Sequence, residues 1–321
     1  MAKFVSSKLI GYDVALGLLE TGLSKSSISY TFSEFVSEVF SQSFKDFDFN
    51  WHHKVLCEDV EEALSSKMFY AAVLPRYHSK STILGYAFSV WAMDVFKPCD
   101  ILYLSYRDGM SAYHIGKIKE SIRNNPILSS RYVDLSPQAE ATARYEIDGF
   151  ESRILRGGIL TFKRGMHPKV VIVDDPLSDP QNPLNYTQIK KVSTRFKSEI
   201  INLPTVDGFM IVMGTTMVKG DLLHELKDIE GFRYRFMPVY NPTDYSPDLQ
   251  EEYGNIETLW EKKYSREWLE NRRGISKKAF STEFLLTPVL ETDAYFTREE
   301  IEAVVDSSLK NYSVFTRFAD G

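Results

Sequence analysis

The amino-acid sequence predicts an α/β fold with a mainly parallel central sheet flanked by helices. Two observations carry this expectation. Short apolar runs alternate with helical patterns through the middle of the chain, as successive βαβ units require. One of these runs, Phe69 to Leu74, leads into a polar turn ending in Lys80-Ser81-Thr82, and a helical run from Ile83 to Phe96 follows. A strand, a tight turn and a helix start are the setting in which a phosphate is gripped. The N–H groups of the turn point inward, the helix N-terminus adds positive potential, and Lys80 brings a full charge.

Length and composition bound the rest. A chain of 321 residues buries a sizeable core, as one large or two modest domains. Hydrophobic content of 43% and charged content of 26% are ordinary for a globular protein. Cys57 and Cys99 form neither a disulfide framework nor a zinc spacing. The N-terminus shows no signal peptide, and no apolar run is long enough to span a membrane. The net charge of −6 argues against a surface uniformly coated for nucleic acid and leaves room for local basic patches.

Taken in order, Val14 to Leu19 and Phe32 to Phe40 each suggest a short amphipathic helix, giving an N-terminal extension packed on the core. Leu56, Val60 and Leu64 recur at helical spacing within Trp51 to Leu64. At the start of that helix Trp51 offers either a stacking face for a base or a core aromatic, and His52 or His53 a hydrogen bond. The stretch LPRYHSKST, Leu74 to Thr82, places Leu74 and Ser79 where the strict P-loop pattern has glycines. By itself it reads either as a phosphate loop or as an ordinary strand-to-helix connection capped by Ser or Thr. Asp100 to Ser105 is a second apolar strand, Tyr106 to Gly109 its turn, and Ala112 to Ile122 a helix. Ala143 to Ile147 and Ser152 to Ile154 flank Asp148-Gly149, a hairpin signal. Arg156-Gly157-Gly158 and Lys163-Arg164-Gly165 read as flexible basic turns.

The run KVVIVDDP, Lys169 to Pro176, is a β-branched strand ending in Asp174 and Asp175. A strand ending in acidic residues places one carboxylate by Mg²⁺ and the next where water is activated. Gln188 to Ile201 is a helix carrying Lys190, Lys191, Arg195 and Lys197, either a solvated face or a DNA-phosphate surface. Phe209 to Met213 is a further strand, ending in Gly214-Thr215-Thr216 at the end where ligands sit in open α/β sheets. Arg233 to Val239 gives another strand, 241–254 a turn-rich boundary, and Trp260 to Phe284 a mostly helical stretch. Tyr312 to Phe318 forms a last strand running into Asp320-Gly321.

Together these stretches resemble the large terminase subunit of tailed bacteriophages and related viruses. The resemblance rests on Trp51-His52 before the loop and on Pro75, Arg76, His78, Lys80 and Ser81 in a P-R-x-H-x-K-S arrangement. It rests also on Gly157-Gly158 and Arg164-Gly165 ahead of Asp174-Asp175-Pro176, and on Gly214-Thr215 followed by Asp221-Leu222-Leu223. Trp260 and the stretch Phe284 to Val289 complete it, so that it covers roughly Phe47 to Gly321.

The resemblance implies an additional-strand P-loop ATPase with a small helical lid, assembling as a homo-oligomeric ring. That ring would dock on the portal protein of a procapsid in the host cytoplasm, work with a small terminase subunit, and drive double-stranded DNA inward using ATP and Mg²⁺. The implied division is 1–46 extension, 47–242 ATPase core, 243–311 lid and linker, and 312–321 the first strand of an RNase H-like nuclease. Asp320 would be the first metal-binding carboxylate of that nuclease, whose other residues the sequence lacks, so an ATPase-only piece is expected.

Nucleotide contacts would fall on Trp51, His52, Pro75, Arg76, Tyr77, His78, Ser79, Lys80, Ser81, Thr82, Thr215 and Thr216. Lys80 would pair with the β- and γ-phosphates, Arg76 would act on the γ-phosphate in cis, and Ser81 and Asp174 would hold the metal. Asp175 would orient the attacking water, a place where many terminases carry Glu. Arg164 matches the position of a finger acting on a neighbour's site, with Arg156 in reserve. DNA contacts would come from Arg107, Lys163 and the Lys190 to Lys197 helix. Competing readings are a helicase-like or other DNA-processing motor of this fold, and a structural module that binds nucleotide without turnover.

Overall fold

The computed structural model describes residues 30–136, 142–162, 165–177, 186–240 and 257–288. All lie within a compact unit that runs to Pro288. The helix expected at Val14 to Leu19, the boundary at 241–254 and the strand at Tyr312 to Phe318 lie outside the described residues.

Eight strands form one sheet among the described residues. They are β1 (Phe69–Val73), β2 (Asp100–Ser105), β3 (Val133–Asp134), β4 (Ala143–Ile147), β5 (Phe150–Gly158), β6 (Val170–Asp174), β7 (Phe209–Gly214) and β8 (Phe232–Phe236). Their order is β3-β4-β5-β2-β6-β7-β1-β8. From β5 to β8 every pairing is parallel, and β3 and β4 add an antiparallel edge. Strand β7 is inserted between β1, which leads into the Lys80 turn, and β6, which ends in Asp174. That insertion is the arrangement an additional-strand P-loop ATPase requires. The register sets Met213 beside both Ala72 and Asp174, so the carboxyl ends of the three strands finish level.

The strands alternate between two buried faces, as a covered parallel sheet demands. Tyr70, Ala72, Ile172, Ile211 and Met213 face one core, and Ala71, Val73, Val171, Val173, Met210 and Val212 face the other. The first core is covered by α1 (Trp51–Ser65), by π-wound turns at Ser81–Ala87 that continue into α2 (Phe88–Val95), and by α3 (Asp108–Arg123). Helical turns at Phe32–Glu34, Phe35–Val39 and Phe40–Ser43 add Phe32, Phe35, Val36, Val39 and Phe40 to it. The short α4 (Pro126–Arg131) contributes Leu128, and α5 (Tyr186–Ser198) and α6 (Leu222–Glu225) cover the second core. A smaller cluster of Val239, Trp260, Tyr264, Leu269, Phe280 and Phe284 includes residues of α7 (Arg266–Ile275) and α8 (Lys277–Glu283).

The hairpin signal at Asp148-Gly149 is a true turn, with φ of 51° and 83° at its two residues. Two expectations need correction. Arg156-Gly157-Gly158 is not a flexible turn but the end of β5, in register with Tyr103, Leu104 and Ser105. Helix α3 starts at Asp108, inside the expected turn, because that carboxylate sits in the first turn where the helix dipole favours it.

Candidate functional site

The loop after β1 is held from several sides. Leu74 N–H still donates to Gly214 O at 3.1 Å, so the strand runs one residue past its last paired position. Pro75, His78 and Lys80 are buried, whereas Tyr77 is 65% exposed. Tyr77 and Ser79 take φ of 66° and 60°, reversing the chain so that Ser79 O receives the N–H of Ile83 at 2.9 Å. His52 Nε2 donates to His78 O at 3.2 Å, and Tyr264 Oη donates to Tyr77 O at 3.3 Å. Arg76 N–H donates to Glu283 O at 3.2 Å, and its Nε lies 3.7 Å from the Glu283 carboxylate.

The polar side chains expected to work together converge at the carboxyl ends of β1, β6 and β7. Lys80 Nζ donates to Thr215 Oγ1 at 3.0 Å, and that hydroxyl donates to Leu74 O at 2.9 Å. The ammonium also lies 3.8 Å from Asp175 Oδ1. Asp175 sits at φ 45° and its carboxylate accepts Thr215 N–H at 3.1 Å. Gly214 leaves room for it, since a Cβ there would lie 3.0 Å from Asp175 Oδ1. Ser81 Oγ donates to Asp174 Oδ1 at 3.1 Å. Asp174 is fully buried, and burial raises its carboxyl above the usual carboxylate range. Thr82 is half-buried beside these groups, and Thr216 turns to Asp221 Oδ2 and His224 Nδ1 at 3.3 and 3.0 Å.

Two residues of this cluster were not expected. Tyr103 Oη donates to Asp174 Oδ2 at 2.7 Å, and His114 Nε2 lies 3.6 Å from the same oxygen. Each reads in the sequence as a core residue of its strand or helix, and only the apolar setting of a buried tyrosine hydroxyl hints at a required partner.

Other expected residues sit as follows. Trp51 is half-buried against the core, and His52 is fully buried with both ring nitrogens engaged, by His78 O and by Asn50 Nδ2. Asn50 Nδ2 also donates to Leu259 O at 2.9 Å. Burial and the neighbouring histidines hold His52 well below its ordinary pKa and His53 at about 3, and burial with the Lys80 and Lys263 charges holds His78 at about 4. Arg156 is paired with Asp108 at 3.0 Å. Arg107, Lys190 and Lys191 are exposed. Arg195 instead caps Leu160 O and Phe162 O, and Lys197 pairs with Glu225 at 3.1 Å. Lys163, Arg164 and Asp320 lie outside the described residues.

The donor set suits a hard divalent cation that keeps waters and phosphate oxygens as ligands: a hydroxyl and a carboxylate oxygen, Ser81 Oγ and Asp174 Oδ1, meet beside the lysine. Among solved structures, the large terminase of bacteriophage HK97 is similar over 81% of this chain and 56% of its own, with a TM-score of 0.54 at 13% identity. The fold is that of a large terminase. A mutant ATPase domain of the Thermus phage P74-26 large terminase aligns over 76% of this chain and 95% of its own, with a TM-score of 0.49 and 11% identity. No family model and no curated protein matches the sequence. The chain thus spans a little over half the length of the HK97 terminase, and at this identity the likeness is one of fold. The terminase fold puts the Lys80 turn, Asp174, Asp175 and Thr215 at one end of one sheet, although Lys80 and Thr215 are 135 residues apart.

Proposed function

We propose that this chain is the ATPase motor of a viral terminase, hydrolysing ATP with Mg²⁺ to drive double-stranded DNA into a preformed capsid. The observation that supports it most is the meeting of Lys80, Ser81, Asp174, Asp175 and Thr215 at the carboxyl ends of three adjacent strands. Lys80, held by Thr215, whose hydroxyl in turn donates to the Leu74 carbonyl, meets the terminal phosphates of ATP. Asp175, pinned by the Thr215 N–H, accepts the proton of the attacking water. Ser81 and Asp174 hold Mg²⁺, which when bound neutralises charge on the phosphates. Arg76 acts on the γ-phosphate within the subunit. Arg164, or Arg156, serves a neighbour's site in a ring.

The same reading assigns residues 47–242 to the ATPase core, 243–311 to a lid and linker, and 312–321 to the start of a nuclease with Asp320 as its first carboxylate. Portal protein, small terminase subunit and double-stranded DNA are the partners it requires. Arg107, Lys163, Lys190 and Lys191 are its candidates for phosphate contacts on DNA, with a salt-sensitive and sequence-independent grip.

Steady-state Mg-ATP hydrolysis across a wide range of protein concentration, with Lys80→Ala as the blank, tests it. Specific activity that rises with concentration and vanishes in the variant is the expected result. Loss of all nucleotide binding by the parent chain overturns the reading. Binding that never leads to Lys80-dependent phosphate release favours a structural nucleotide module.

A further inference from the structure

We infer that Tyr103 is a positioning residue for Asp174: with His114 it holds one carboxylate oxygen so that the other faces Ser81 and the metal. The inference rests on the Mg-ATP reading above. Asp174 stands at the end of a fully buried strand, where a carboxylate has few partners to fix its rotation about the Cβ–Cγ bond. Its two oxygens nevertheless have divided duties. Oδ2 accepts Tyr103 Oη at 2.7 Å and lies 3.6 Å from His114 Nε2. Oδ1 is left for Ser81 Oγ at 3.1 Å.

The holding side is itself built. Tyr103 projects from β2, which pairs directly with β6 and sets Tyr103 beside Ile172. His114 comes from α3, stacks on the Tyr103 ring with centroids 5.3 Å apart and planes at 25°, and is fixed by Tyr86 Oη at 2.8 Å from Nδ1. Gly85 supplies the room. A Cβ at that position would lie 2.4 Å from Tyr103 Oη and 3.1 Å from Met213 Cε. Packing alone would be met by Phe at 103; the hydroxyl, the facing histidine and the missing Cβ all serve one oxygen of Asp174. Mg²⁺ demands near-ideal octahedral geometry, and loss of an outer partner of a metal ligand commonly costs affinity about 10- to 100-fold.

The test is a titration of a fluorescent ADP analogue with the full chain, first in EDTA and then over a range of Mg²⁺. Tyr103→Phe is expected to leave nucleotide affinity in EDTA unchanged and to raise the Mg²⁺ concentration for half-maximal tightening about tenfold. Gly85→Ala is expected to do the same by pushing the hydroxyl off its acceptor. Adding Gly85→Ala to Tyr103→Phe should cost less than Gly85→Ala alone, because the closest atom the new methyl strikes is gone and only Met213 Cε at 3.1 Å and the ring Cζ at 3.3 Å still crowd it. His114→Gln gives a smaller shift in the same direction and guards against a folding defect peculiar to position 103. A Tyr103→Phe chain that titrates like the parent overturns the inference, as does one that loses affinity equally with and without Mg²⁺. If the parent binds the analogue without any response to Mg²⁺, or does not bind it, the Mg-ATP reading has failed and takes this inference with it.

Discussion

Ser79 stands where phosphate loops of this pattern carry glycine, and its backbone takes φ of 60° all the same. For an L-residue that conformation costs roughly 1–2 kcal/mol. The cost is offset locally, because the reversed chain lets Ser79 O accept the N–H of Ile83 and sets Lys80 against Thr215. Leu74, at the other glycine position, needs no such freedom, since its N–H still pairs with Gly214 as strand. So Ser79→Gly is expected to stay within about 1 kcal/mol of the parent and keep nucleotide binding, relief of strain being set against a more flexible unfolded chain. Ser79→Val, whose branched Cβ crowds the left-handed region, should lose about 2 kcal/mol and weaken binding. Denaturant unfolding and a nucleotide titration of both variants check this; equal behaviour of the two would mean the loop relaxes out of that conformation. Lys80, Ser81, Asp174, Asp175 and Thr215 were legible in the sequence because each ends or follows an apolar strand. Tyr103 and His114 were not, because their partner Asp174 is 71 residues from Tyr103 and no local pattern ties them to it.

At the scale of elements, the pair Gly157-Gly158 shows where composition misleads. Glycine beside arginine reads as a loose basic turn, yet both residues belong to β5 and are there because neighbours come too close for a side chain. A Cβ at Gly157 would meet Phe162 Cβ at 2.8 Å and Leu104 Cδ2 at 2.9 Å. One at Gly158 would meet Thr161 Oγ1 at 2.6 Å and the Asp108 backbone nitrogen at 2.9 Å. The second contact is the first turn of α3, the helix that carries His114 toward Asp174. Gly158→Ala is therefore expected to destabilise the chain by about 1–3 kcal/mol through overpacking of a β5–α3 joint that has backbone on one side. Gly149→Ala, strained only by its φ of 83° with open space around it, serves as a control for backbone strain alone. Chemical unfolding of the two separates the effects: a loss at Gly158 no larger than at Gly149 would mean the joint yields freely. The parallel sheet and its βα order were legible from the apolar runs. The strand order was not, since insertion of β7 between β1 and β6 depends on pairings between distant segments.

For the molecule as a whole, acid stability is a contest between buried groups of opposite sense. His52, His53 and His78 pack around Trp260, with His53 edge-on to its ring at 4.7 Å, and all three are held neutral by burial. Their pKa values lie below the ordinary 6.5, at about 3 for His53 and about 4 for His78. Below pH 6.5 the unfolded chain thus binds protons that the folded chain refuses, and stability falls as pH falls. Glu61 works the other way. Burial lifts its carboxyl from 4.5 to about 7, although it accepts the Ser33 N–H at 2.8 Å where the Phe32–Glu34 turn docks. Its contribution is full below pH 4.5 and is lost as pH rises through 7. Asp174, raised by burial, adds to the side of Glu61. Three histidines against Glu61 leave the unfolded chain an excess of nearly two protons near pH 5.5, a slope of roughly 2–3 kcal/mol per pH unit that the raised Asp174 carboxyl can only reduce. Unfolding free energies measured between pH 5 and 8 by urea titration are expected to fall steeply toward acid below about pH 6.5. Glu61→Gln, which keeps an acceptor for Ser33 but removes a buried charge, should steepen that fall by about 1 kcal/mol per pH unit and stabilise the chain at pH 8. His53→Phe should flatten it by a similar amount, since one of the three refused protons is gone. If Glu61→Gln leaves both the slope and the pH 8 stability unchanged, the Glu61 carboxylate is reaching water, and the docking of the Phe32–Glu34 turn does not depend on its protonation.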